Sequence, residues 1–298
     1  MAVIFLFIDG VGLGEESPVN PFTRNEYKGF SMMNGGGVLT KKAAEIRSSR
    51  HVFKAVDATL GVEGLPQSGT GQTSLFTGKN AAKEIGKHFG PFPHSRIKYM
   101  LREQSLFNKV QRMGRSIMFI NAYPDIFFQK ARERNRWSCT TIMTKSAGLP
   151  LNRITDVKEE RALTAELTQQ SWREMLNEQV PVITPQQAAD RLLDISEETD
   201  LVLFEYYLTD KAGHSKDYER AAAVLSVYDR FLQRLIERKQ EQTTLVLCSD
   251  HGNVEDLSTK THTRNDVPLF VSGPGAEIFH RAESILDVTP GIVEVLKQ

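Results

Sequence analysis

The run Thr244-Leu245-Val246-Leu247-Cys248-Ser249-Asp250-His251-Gly252-Asn253 sets a short apolar stretch directly against a polar, glycine-containing turn. A run this short, without polar alternation, is how a strand buried on both faces reads. The same sentence recurs along the chain. Ala2 to Ile8 runs into Asp9-Gly10-Val11-Gly12, Leu201 to Tyr207 runs into a segment carrying Asp210 and His214, and Ser116 to Asn121 runs into Ala122-Tyr123. Val267 to Ser272 is a fifth such run, with His262 just ahead of it. Between the runs lie helical patterns. Tyr218 to Lys239 places Val224, Tyr228, Phe231 and Leu235 on one face, Thr184-Pro185 supplies a cap and an N1 proline for Gln186 to Ile195, and Ser105 to Arg112 forms a further helix. Strand and helix alternate, so the expected fold is α/β: a doubly wound, mostly parallel sheet with helices on both faces.

Composition narrows the function classes. The 298 residues are 25% charged and 40% hydrophobic, which is globular and excludes disordered, collagenous and disulfide-scaffold chains. Lys plus Arg and Asp plus Glu both number 37, so the field a polyanion binder needs has no global counterpart, and no nucleic-acid partner is expected. Cys139 and Cys248 are too few for a four-sulfur zinc site. No run approaches the roughly 18–20 apolar residues of a membrane span. Ala2 to Ile8 has no basic flank, stops at Asp9 and reads as a strand rather than a signal peptide. A cytoplasmic protein without a membrane partner is the expectation. One domain over 1–298 is the simplest organisation. The least periodic stretch, 123–180, with its charged cluster at 130–136, is either a small cap over a site or a solvated excursion.

In doubly wound sheets, ligands bind beyond the carboxyl ends of the strands, so the polar residues following the apolar runs converge there. Those residues are Asp9, Asp210, His214, Asp250 and His251, joined by His262. Asp210 and His214 share a face if their segment turns helically. Carboxylates with imidazoles are the ligand set for Zn²⁺, Mn²⁺ or Fe²⁺, and six ligands suffice for two ions. Each residue alone has a plainer reading: Asp9-Gly10 is a common turn, and Asp210 suits a helix cap. Their joint placement favours chemistry. The stretch Leu65-Pro66-Gln67-Ser68-Gly69-Thr70-Gly71-Gln72-Thr73 resembles a helix start able to hold an anion, yet lacks the lysine of a P-loop. Gly10-Val11-Gly12-Leu13-Gly14 falls short of a dinucleotide fingerprint and runs into Pro18.

Together, Asp9-Gly10-Val11-Gly12, the Ser68 motif, Asp210-x-x-x-His214, Asp250-His251-Gly252-Asn253 and His262-Thr263-x-Asn265-x-Val267-Pro268-Leu269 resemble the metal-binding set of the alkaline phosphatase superfamily. The wording is nearest the branch holding cofactor-independent phosphoglycerate mutase and phosphopentomutase. The resemblance implies two divalent ions, zinc or manganese. Asp210, His214 and His262 would hold one; Asp9, Asp250 and His251 the other. Ser68 falls where the family has its nucleophile, which also bridges to the second ion, and Thr70 is the alternative. Because neighbours on a strand point to opposite faces, Asp250 and His251 must lie in the loop beyond it to share an ion.

The resemblance implies phosphoryl transfer through a phosphoserine. Mutases of this kind carry a large insert or sizeable cap after the nucleophile, whereas only about 120 residues separate Gly78 from Leu201, part of them needed for the sheet and its helices. A phosphohydrolase acting on a small phosphorylated substrate is therefore the favoured reading. A phosphomutase and a non-catalytic, metal-stabilised phosphate-binding protein are the alternatives. Asn121 and Arg264 are candidate phosphate contacts, with Arg132, Arg134 and Arg136 as candidates from a cap.

Overall fold

A computed structural model describes residues 2–134 and 136–298. Asn135, inside the charged cluster, lies outside the described residues. Among the described residues, seven strands form one sheet: β1 (Ala2–Ile8), β2 (Ile46–Arg47), β3 (His51–Val56), β4 (Ile117–Phe119), β5 (Leu201–Tyr206), β6 (Thr243–Cys248) and β7 (Val267–Ser272), in the order β2-β3-β7-β6-β1-β5-β4. β1, β4, β5 and β6 run parallel. Along β1, Val3, Phe5 and Phe7 enter one apolar cluster and Ile4, Leu6 and Ile8 the other, as the two-residue period of a strand requires. Helices Ser68–Thr77, Leu106–Arg112, Cys139–Ser146 and Val288–Val295 cover the first face; Pro185–Glu197 and Tyr218–Arg238 cover the second. Both faces are covered, as the uninterrupted apolar runs imply.

Register brings the polar residues together. Ile8 lies opposite Tyr206 and Phe7 opposite Cys248, so the chains leaving β1, β5 and β6 emerge level at one edge beside the central strand. β7 departs from the expected parallel set, for it pairs antiparallel with β6 and with β3. A parallel β7 would have put the residues ahead of it at the opposite edge. The antiparallel direction carries His262, five residues before the strand, to the edge where the others end. β3, absent from the sequence reading, runs antiparallel to β7 and so points its carboxyl end at that same edge, from which the chain leads through 57–67 to Ser68.

The 123–180 stretch divides. Cys139, Ile142 and Met143 belong to the main core, and Leu163 and Leu167 to the core on the other face. Val157, Ala162, Trp172 and Val180 form a small cluster with Ala122. The stretch is woven into both sides of the sheet. Among the described residues, no helix is long and apolar enough to cross a membrane.

Candidate metal centre

Asp9 follows β1 directly, and Asp250 and His251 occupy the bend after β6, off the strand as two ligands of one ion require. Asp210 and His214 stand one turn apart on the helix Leu208–Ser215, their side chains 3.2 Å apart. Around His251, the Nε2 atom is 3.4 Å from Asp9 Oδ1, 3.4 Å from Asp250 Oδ2 and 3.1 Å from Ser68 Oγ. In the neighbouring group, His262 Nε2 lies 3.2 Å from His214 Nε2 and 3.5 Å from Asp210 Oδ1. The rings of His251 and His262 stack at 3.8 Å, so the two groups adjoin. Asp9, Asp250 and His251 offer ligand atoms within 4.8 Å of one another, and so do Asp210, His251 and His262, which puts His251 on the border between the groups.

The tautomers follow from the backbone. His214 Nδ1 donates to Lys260 O at 2.7 Å, His262 Nδ1 to Pro66 O at 2.7 Å, and His251 Nδ1 faces Gly252 O at 3.3 Å. Each ring thus has its proton outside the centre and turns the Nε2 lone pair inward. Two lone pairs facing each other across 3.2 Å beside a carboxylate repel unless a proton or a metal ion sits among them, and contact with Asp210 accordingly raises His214 in the metal-free chain. In the deeper group, Asp9 Oδ1 and Asp250 Oδ2 are buried oxygens without a hydrogen-bond partner. A divalent ion supplies what both groups lack, so the donor set fits the metals the resemblance implies.

The electrostatics agree. Burial, then the charges of Asp250 and Asp210, pushes the Asp9 carboxyl well above the usual carboxylate range. Burial and the charge of Asp210 push Asp250 up to about 7. Burial and the neighbouring His251 bring His262 down to about 4. Burial also raises Asp210, but contacts with His214, His251 and Asn253 outweigh it, and its carboxyl lies well below the ordinary range.

Ser68 begins the ten-residue helix Ser68–Thr77, whose dipole places partial positive charge at that end. Its hydroxyl meets His251, whereas Thr70 Oγ1 donates to Gln67 O and accepts from Phe89 N, both at 3.1 Å. Of the two candidates, only Ser68 thus faces the centre. Gln72, one helical turn on, donates to Asp9 Oδ2 at 3.1 Å.

The proposed phosphate contacts fare differently. Asn121 is buried, its side chain donating to Glu205 O and accepting from Glu205 N, both at 2.8 Å. This corrects the sequence reading: both ends of the amide are committed to the β5 backbone, and Asn121 closes the gap beyond β4 rather than facing a substrate. Arg264 is exposed, with Nε donating to Gly64 O at the loop that leads into Ser68. Arg132, Arg134 and Arg136 are exposed, and Arg136 lies 6.0 Å from the Phe92 ring.

Two neighbours escaped sequence reasoning. Asn253 donates to Asp210 Oδ1 at 2.6 Å. Glu205, an acid inside the apolar run of β5, is buried, accepts from Thr140 Oγ1 at 2.7 Å and is raised by burial to about 7. A charged residue in an otherwise apolar strand was the available signal for it.

An acid–imidazole cage at the carboxyl edge of a doubly wound sheet, with a helix-start hydroxyl beside it, has the donors to hold metal ions. Residues 173–297 match the model of the family described as the Metalloenzyme superfamily. The 2,3-bisphosphoglycerate-independent phosphoglycerate mutase of Cereibacter sphaeroides is 30% identical over 125 residues, covering 39% of this chain and 25% of that protein. The phosphopentomutase of Sodalis glossinidius is 36% identical over 88 residues, covering 29% of this chain and 22% of that one. The chain thus spans about a quarter of the curated relatives it matches. Among solved structures, the PH0037 protein from Pyrococcus horikoshii (TM-score 0.59, 10% identity) covers 99% of this chain and 96% of its own. The alkaline phosphatase from the Antarctic bacterium TAB5 (TM-score 0.57, 14% identity) covers 99% and 98%. The family match is thus confined to residues 173–297, while over its whole length the chain has the alkaline phosphatase-like fold.

Proposed function

We propose that this chain is a two-metal phosphohydrolase that cleaves a small phosphate ester through a phosphoserine at Ser68. The observation that carries the reading is the Ser68 hydroxyl, 3.1 Å from His251 Nε2 and at the positive end of a helix, beside two buried carboxylate oxygens that have no hydrogen-bond partner among the described residues. Asp9, Asp250 and His251 would hold one ion and Asp210, His214 and His262 the other, zinc or manganese by donor type. Such ions, when bound, lower the pKa of a coordinated hydroxyl or water and offset phosphoryl charge.

The chain's residues do the rest. Ser68 Oγ would bond to the phosphorus as the ester oxygen leaves and takes up a proton to depart as the alcohol, the serine proton being released to solvent; water would then cleave the phosphoserine, freeing phosphate and restoring the hydroxyl, and the helix start favours the anion that arrives there. Asn253 and Gln72 hold the Asp210 and Asp9 carboxylates in place by hydrogen bonds of 2.6 Å and 3.1 Å. Arg264, whose Nε donates to Gly64 O in the loop leading into Ser68, would meet the non-reacting oxygens of an entering phosphate.

Hydrolysis is favoured over intramolecular transfer because a mutase must exclude water while the dephosphorylated product waits, which takes a closing domain. The 123–180 stretch packs into the cores on both sides of the sheet rather than forming a unit free to close. The test is a panel of phosphomonoesters, diesters and phosphonates with Mn²⁺ or Zn²⁺, using labelled phosphate. Free inorganic phosphate is expected. Label recovered on another hydroxyl of a phosphosugar or phosphoglycerate, with little free phosphate, would assign the chain to the mutases instead.

A further inference from the structure

Glu255 lies in the turn beyond Asp250-His251-Gly252-Asn253 and is 1% exposed. Among the described residues, no lysine or arginine pairs with it. Four donors do. Its Oε2 accepts from the backbone N–H of Gly12 at 2.9 Å and of Asn253 at 2.7 Å. Its Oε1 accepts from Thr263 Oγ1 at 2.5 Å and from Asn265 Nδ2 at 3.0 Å. These donors sit on three separate loops. Gly12 is three residues past Asp9, Asn253 two past His251, and Thr263 adjoins His262. The fourth ligand-bearing element joins through Asn253, whose amide reaches Asp210 Oδ1 at 2.6 Å and Asp210 O at 3.2 Å.

The approach is as close as the backbone permits. A Cβ on Gly12 would stand 2.3 Å from Glu255 Oε1, and one on Gly252 2.2 Å. Two glycines on different loops therefore make room for this one carboxylate. Only a carboxylate suits the position, since all four partners donate: a glutamine would turn an NH₂ group against one pair of them, and an alanine would leave the Gly12 and Asn253 amides buried and unpaired.

We infer that Glu255 is the positioning residue that fixes the two ion sites relative to each other, tying the Asp9, Asp250–His251 and His262 loops to one buried carboxylate. It touches neither a ligand side chain nor the reacting atoms, and acts through the loops that carry the ligands. The inference rests on the two-metal reading.

Its test uses binding rather than turnover. Metal-free wild type, E255A, E255Q and T263V are titrated with Co²⁺, following visible absorption and calorimetric stoichiometry, and the thermal unfolding of each metal-free form is recorded. Partners one step outside the ligands typically govern about 10- to 100-fold in metal affinity. E255A should lose that much for both ions. T263V, which removes one of the two donors from the His262 loop and leaves that of Asn265, should weaken one ion by up to about tenfold while its metal-free melting stays near wild type. E255Q, keeping one oxygen acceptor, should fall between E255A and wild type. If E255A does not fold, E255Q and T263V decide alone. Wild type binding two ions, with E255Q and T263V binding them equally well, would overturn this inference and leave the metal centre standing. Wild type binding no ion would overturn the two-metal reading and this inference with it.

Discussion

The two halves of the centre differ in their access to water. In the Asp9, Asp250, His251 half, side-chain exposure is 9%, 0% and 0%. In the other half His214 is 44% exposed, Asp210 15% and His262 6%. The closed half sets two buried carboxyls together with no lysine or arginine beside them among the described residues, so it holds protons in place of charge until a cation displaces them. The open half has its histidine protons on backbone carbonyls and one ring at the surface. A closed half beside Ser68 thus adjoins an open half that reaches the surface at His214.

The largest effect that would sharpen this contrast is at the nucleophile. Ser68→Ala should lower kcat by at least about a thousandfold, because what remains is metal and binding alone, while calorimetry still finds ions bound. Thr70→Val should keep most of the activity. The reverse ranking would mean that Thr70 is the nucleophile and that the contact of Ser68 with His251 is incidental.

The next effect separates the halves directly. Asp250→Asn removes a charge from the closed half and should abolish retention of one ion through dialysis. His214→Ala, at the open face, should weaken the other ion yet be restored by excess Mn²⁺. Equal loss in both, with no restoration, would show that the halves do not differ as their exposure implies.

Proton competition should act on both halves, through the carboxyls of Asp9 and Asp250 in the closed one and through His214 in the open one. Asp250, raised to about 7 in the metal-free chain, holds a proton below that pH which an ion must displace. In the open half His262, lowered to about 4, is already neutral above that value, while His214, raised by its contact with Asp210, holds a single proton that an ion must displace. With Asp9 raised as well as Asp250, affinity of the closed half should fall by about tenfold or more per pH unit as pH drops below 7. Calorimetry in buffers of different ionisation enthalpy would register the released proton near pH 6 and much less near pH 8. A flat profile would contradict the burial argument.

The smallest effect lies outside the centre. Asn121→Ala should cost about 1–3 kcal/mol of stability through unpaired groups on β5, read as a lowered denaturant midpoint, with KM unchanged. A raised KM at unchanged stability would restore Asn121 as a substrate contact.

Most of the strands were legible because burial on both faces leaves an uninterrupted apolar run, and Asp9, Asp250 and His251 were legible because such runs end abruptly. β3 was missed because Lys54 interrupts it; that lysine is buried, with its ammonium on the carbonyls of His280 and Ala282, a partnership no local pattern announces. Strand direction was equally silent. Nothing within Val267–Ser272 distinguishes parallel from antiparallel, although His262 standing before its strand rather than after it was a clue. Asn121 misled because a polar residue at a strand end looks the same whether it faces a ligand or closes a neighbouring backbone. Glu255 reads as surface charge until the three loops around it are assembled.

The central claim, two adjoining ion sites with Ser68 at the closed one, is tested most directly by anomalous diffraction from crystals grown with Mn²⁺. The account predicts two peaks on the order of 4 Å apart, one enclosed by Asp9, Asp250 and His251 with Ser68 Oγ facing it, the other by Asp210, His214 and His262. A single peak, or ions held away from these residues while both groups stay empty, would contradict it.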